Sequence, residues 1–293
     1  MLGQPYYCEA AEGIIKIYLH LYDNPSILAE EAEPDYASMS AADRKKAKAL
    51  ARKKKKKATE DAEQKKTKEA ESVDASAADG GKKKKPALQE ITDDDPEGNF
   101  LFKKDPLEEA TIFSSVLSKN ASHRLWTWLL HYDVASRRGK GLMALQALFK
   151  AKALAPESSD VFSRVVDFGL NSDSWISSEV ARAVVQTEVP VLFEGSDIVG
   201  YVLATFEKVK SDPLSSLPMR VQMAKALVKI EKLSVSDASY LIVDGGLSGR
   251  GVTVTHCREA LDSLSAFGND GAEARSKWVT AVRARFPLIQ DWK

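Results

Sequence analysis

Cysteine is almost missing from this 293-residue chain, and Cys8 and Cys257 are too few and too far apart in sequence for a disulfide framework. The histidines His20, His123, His131 and His256 are scattered, and the adjacent His256-Cys257 pair lacks the further ligands a zinc site needs. No apolar run is long enough to cross a membrane, and no secretory signal is legible, so a reducing, aqueous compartment is expected. Sustained strand alternation is lacking as well, which disfavours a sheet. No convergent set of titratable groups suggests an acid, base or nucleophile, so no catalytic residue is assigned. The glycines Gly245, Gly246, Gly249 and Gly251 follow no strand and precede no Lys-Ser/Thr, so they read as a loop between helices rather than a phosphate cradle.

What is present is helix and segregated charge. Lys plus Arg and Asp plus Glu each number 42, yet one dense basic run stands in the first third. Arg44 to Lys57 (RKKAKALARKKKKK) holds ten basic residues, namely Arg44, Lys45, Lys46, Lys48, Arg52, Lys53, Lys54, Lys55, Lys56 and Lys57, with no acid among them. Such a run suits contact with a polyanion, RNA included. Further along, Trp128, Ala144, Ala151 and Pro156 fall at the spacing of the tetratricopeptide (TPR) signature, where small alanines let one helix nest on its partner and proline stops the second. Leu148 stands where a large aromatic is usual and Tyr132 where a small residue is usual, which marks a degenerate repeat.

Composition divides the chain into residues 1–39, 40–104 and 105–293. In the first part, Cys8 to Leu21 reads as an amphipathic helix with Ile14, Ile17, Tyr18 and Leu21 on one face, followed by an acidic spacer. One such helix cannot bury its own stripe, so this part is expected to be the end of a longer repeat array, with Met1 either an internal residue of a larger protein or an artefact of a gene model. The second part begins with the capping-box pattern Ser40 to Asp43, carries the basic run on a projecting charged helix, and continues as a linker through Gly80-Gly81 and Asp93 to Asp95. In the third, Asp105, Pro106 and Glu108 start a helix to about Ser118, and Ser122 is expected to cap the next, which runs to Gly139. Apolar stripes then follow at short intervals to Phe286, with Trp126, Trp128 and Trp175 expected in the core. The fold expected is all-α, a TPR-like α-solenoid of antiparallel helices with a long charged helix and linker inserted.

The linked order of these features resembles the C-terminal part of the auxiliary subunit of N-terminal acetyltransferase A (NatA). The residues that carry the resemblance are IKIYLHLYDNP at Ile15 to Pro25, MSAADRKKAKALARKKKKK at Met39 to Lys57, DPLEEATIF at Asp105 to Phe113, the helix pair ending at Lys152 to Pro156, and LPMRVQMAKALVKI at Leu217 to Ile230. The resemblance implies a non-catalytic TPR scaffold that supports a separate GNAT-type catalytic subunit and anchors it to the ribosome for co-translational N-terminal acetylation. It implies partners in ribosomal RNA and a small regulatory NatA-binding protein, with no membrane contact, and a cytoplasmic, ribosome-associated location with a nuclear pool. Acetyl-CoA would sit on the catalytic subunit, with no cofactor or metal in this chain; Arg137-Arg138-Gly139-Lys140-Gly141 misses the pyrophosphate-binding spacing of GNAT enzymes. The family's inositol hexakisphosphate pocket lies upstream of this segment. The competing reading is an unrelated TPR-type scaffold whose basic run serves nuclear import or nucleic-acid binding.

Overall fold

A computed structural model describes residues 6–25, 104–176 and 178–289 of the chain. Apart from residues 21–25, 104 and 105, these belong to one compact unit comprising Met1–His20 and Pro106–Lys293. Among the described residues every regular element is helical: α1 (Tyr7–Asp23), α2 (Pro106–Asn120), α3 (Leu125–Arg137), α4 (Gly141–Leu154), α5 (Ser159–Trp175) and α6 (Glu179–Leu192). They continue with α7 (Ile198–Ser211), α8 (Leu217–Lys229), α9 (Val235–Val243), α10 (Val254–Ala266) and α11 (Ala272–Arg285). None of these helices is long and apolar enough to cross a membrane.

Side-chain caps account for many of the helix starts. Ser158, Asp197, Ser216 and Thr253 each accept a backbone N–H from the first turn of α5, α7, α8 and α10. At α9, Ser234 Oγ accepts the Asp237 N–H at 3.1 Å and donates to its carboxylate at 2.6 Å. The start of α3 departs from the sequence expectation: Arg124, not Ser122, precedes the helix, and no side chain caps it. Ser122 contributes instead through its carbonyl, which accepts the Trp128 indole N–H at 2.7 Å, while Thr127 Oγ1 donates to the Ala121 carbonyl at 2.9 Å. These two bonds draw the turn onto the helix it introduces.

Consecutive helices pack as an array: α2 on α3, α3 on α4, α4 on α5, then α5 against α7 and α8, and α8 against α9 and α10. Short turns between them favour antiparallel neighbours. A first core runs through α3 to α8, with Leu129, Tyr132, Leu148, Phe168, Val202 and Met223 at its centre. A second joins α8 to α11 around Ile242, Cys257, Leu264 and Trp278. The α8 helix enters both, giving Met223, Ala226 and Leu227 to the first and Leu217, Val221 and Ala224 to the second. The architecture is an all-α, TPR-like solenoid.

The α1 and Trp126 expectations are corrected. On α1 the buried apolar residues include Ala11, Ile15, Tyr18 and Leu19, whereas Ile17 is 61% exposed. Alanine at position 11 made the true stripe quieter than the one drawn through the isoleucines. Trp126 is 37% exposed, while Trp128 is buried and Trp175 half-buried. The difference follows from helical geometry, because α3 turns Thr127, Trp128 and Leu130 inward and leaves Trp126 at its free N-terminal edge.

Two packing predictions follow. Ala144 has no exposed surface within the first core, and Ala144→Leu should cost about 1 to 3 kcal/mol by overpacking, read as a lower urea midpoint with unchanged m-value. The second concerns His131, which lies 2.7 Å from Ser114 Oγ through Nδ1 and whose burial holds its pKa below the ordinary value. The unfolded chain takes up a proton near pH 6.5 that the folded chain refuses, so this contribution to stability is present above that pH and lost below it. In His131→Gln the fall in unfolding free energy between about pH 7 and 5.5 should be shallower than in the parent chain.

Candidate functional site

Four residues assigned from the repeat signature lie on one helix pair and the turn that follows. Trp128 on α3 and Ala144 and Ala151 on α4 are buried in the first core, and Pro156 sits exposed in the turn after α4. The Arg137 to Gly141 segment is the turn between α3 and α4. A Cβ on Gly141 would lie 2.7 Å from Ile176, so glycine there permits close packing and needs no phosphate to explain it. The same holds for Gly249, where a Cβ would meet the Ser215 carbonyl at 2.5 Å. The second glycine cluster is thus a packed crossing of backbones beside a short 3-10 turn, Gly246–Ser248.

Several polar groups of this helix pair are satisfied by partners beyond it. Arg164 of α5 grips Asp133 of α3 with both Nε and Nη2, at 2.9 and 2.7 Å, and Tyr132 donates to Asp167 at 2.7 Å. Burial and the Asp167 contact both raise the Tyr132 pKa, leaving the phenol a hydrogen-bond donor and no acid at neutral pH. Next to them, Lys152 donates to the carbonyl of Leu192 at 2.7 Å and pairs with Glu194 at 3.1 Å. It thereby closes the C-terminus of α6, where a cation complements the helix dipole. Hydrogen bonding to Lys152 and the nearby Lys208 hold the Glu194 carboxyl below its usual range. Burial pushes the Tyr201 phenol up to about 12. These groups fasten helices together.

His256 and Cys257 do not converge on a ligand set. The Cys257 thiol is buried in the second core, its pKa raised by that burial, and its carbonyl accepts the Trp278 indole N–H at 3.2 Å. Among the described residues no group of three or more His, Cys, Asp or Glu side chains could hold a metal. The ten basic residues from Arg44 to Lys57 lie outside the described residues.

The structure adds one cross-chain fastening that spacing did not reveal. Arg124 reaches from the start of α3 to α1, donating to Glu12 at 2.8 and 3.4 Å and pairing with Glu9 at 3.0 Å. Lys16 lies 4.0 Å from the Trp126 ring centroid, and Tyr18 stacks on Phe113. Glu12 is itself buried, and the partners stand 112 positions apart, so no local pattern could announce them.

The helix that carries IYLHLYDNP is thus pinned to α3, and its Tyr18 to Phe113 within DPLEEATIF. The family profile described as N-terminal acetyltransferase A, auxiliary subunit, matches residues 1–151. Over 180 residues the chain is 38% identical to the N-terminal acetyltransferase A complex auxiliary subunit NAA15 of Arabidopsis thaliana, covering 61% of this chain and 19% of that protein. The chain belongs to the family of NatA auxiliary subunits.

The pin has a measurable consequence. Removing Arg124 leaves the Glu12 carboxylate buried beside no cation, so Arg124→Ala should destabilise the α1 contact by about 1 to 3 kcal/mol. Hydrogen exchange should quicken in α1 while α4 and α5 stay protected.

Proposed function

We propose that this chain acts as a scaffold for a GNAT-type catalytic subunit, and that its basic run holds the assembly on ribosomal RNA during N-terminal acetylation. The observation that carries the reading is the single family match across residues 1–151, which takes in α1, the basic run and the α2 to α4 helices together. The relative it resembles is named for its part in an acetyltransferase complex. Acetyl-CoA would then bind the catalytic partner, and the assembly would work in the cytoplasm on translating ribosomes. Arg44 to Lys57 suits the RNA contact because each cation near a phosphate releases condensed counterions, a gain indifferent to base sequence.

The test uses the chain co-expressed with the catalytic subunit. The two should co-purify, and acetyl transfer to N-terminal peptides should require the catalytic subunit. Replacing Lys53 to Lys57 by Gln should weaken ribosome co-sedimentation at moderate salt, reduce the log-log salt slope by up to about 4, and leave the thermal melt unchanged. Retained co-sedimentation with altered nuclear localisation would assign the run to import and remove it from the ribosome site.

A further inference from the structure

We propose that a cleft floored by α8 is a docking groove for an extended peptide segment that presents a lysine or arginine side chain. The cleft encloses about 620 Å³, within the range of sites that bury small ligands or a few peptide residues. Its lining residues lie outside Arg44 to Lys57, and the proposal does not depend on the NatA reading.

Its floor comes from the α8 face left over by the two cores. Pro218, Gln222 and Lys225 follow the i, i+4, i+7 spacing of one helical stripe. One wall is α10, which presents Glu259 and Asp262, and the opposite side is closed by Trp126 and the first turn of α5. Neither carboxylate, nor Lys225, makes an ion pair among the described residues, unlike the paired charges of α3 to α5. Gln222 keeps both its amide donor and acceptor free among the described residues, as an extended backbone requires. The buried Nδ1 of His256, which also lines the cleft, has no hydrogen-bond partner among the described residues.

Charge selects the occupant. Asp160, Glu259 and Asp262 stand against Lys225 alone, so the lining is net acidic and disfavours a polyanion. Asp160 already lies 3.8 Å from Arg164, which leaves Glu259 and Asp262 as the groups that would take a cationic side chain. Burial and the neighbouring Lys229 lower the Lys225 pKa, whereas Glu259 and Asp262 raise it. Lys225 is thus the cleft's own cation, which competes with an incoming lysine or arginine for Glu259 and Asp262. The Trp126 ring is engaged by the Lys16 ammonium, 4.0 Å from its centroid, so the cationic side chain is assigned to Glu259 and Asp262.

The probe is a fluorescein-labelled, terminally blocked nonapeptide with two lysines among alanine and serine, compared with its glutamine counterpart by anisotropy against the full chain. The lysine peptide should bind roughly tenfold tighter than the glutamine one. Glu259→Gln with Asp262→Asn should erase that difference, and Lys225→Gln should tighten the lysine peptide severalfold. Glu273→Gln, on α11 outside the cleft, should change neither. Matching thermal melts separate loss of binding from loss of fold, and each single variant serves if the double variant melts early. Equal affinity for the two peptides, or undiminished lysine-peptide binding by the double variant, overturns the proposal. So does a labelled oligouridylate whose binding is lost in Lys225→Gln, which would assign the cleft to RNA.

Discussion

The structure depends on α8 having no idle side. Met223, Ala226 and Leu227 close the core shared with α3 to α7, while Leu217, Val221 and Ala224 close the core shared with α9 to α11. A helix buried on two faces cannot rotate or slide without opening both cores, so it fixes the two halves of the array together. Arg220, between these faces, is also buried and donates to the Asp244 carbonyl at 3.0 Å, tying α8 to the end of α9. What remains is a narrow strip at Pro218, Gln222 and Lys225, and it faces an open cleft.

Elsewhere, polar side chains are used as fasteners. The Arg164 fork on Asp133 and the Tyr132 bond to Asp167 join α3 to α5 across the α4 helix that separates them in sequence. Lys152 closes α6, and Arg124 secures α1. Each pairing fulfils a buried or half-buried donor with an acceptor, which is how a scaffold tolerates polar groups near its core.

The helices were legible because their determinants are local. Ser158, Ser216 and Thr253 stand one residue before their helices, and the apolar spacing of Val161 to Phe168 or Ala260 to Leu264 needs no tertiary information. The failures share a cause. Ser122 looked like a cap, but Trp128 and Thr127 claim the turn by reaching back to its carbonyls. Ile17 looked buried, yet the face chosen by packing runs through Ala11 and Ile15. For Trp126, residue type suggested the core while its place on α3 decided otherwise. The candidate cleft was invisible because it gathers side chains from α3, α5, α8 and α10, which no window of sequence joins. The basic run, by contrast, is wholly a property of composition.

The pairing of Glu12 with Arg124 closes a loop of more than a third of the chain with one charge-assisted clasp. Loop-closure entropy grows only with the logarithm of length, about 0.6 kcal/mol for each doubling. Insertions or deletions between α1 and α2 therefore shift the clasp's equilibrium very little, while they slow the search that first brings its ends together. The penalty for a change of length there falls on the time α1 takes to dock.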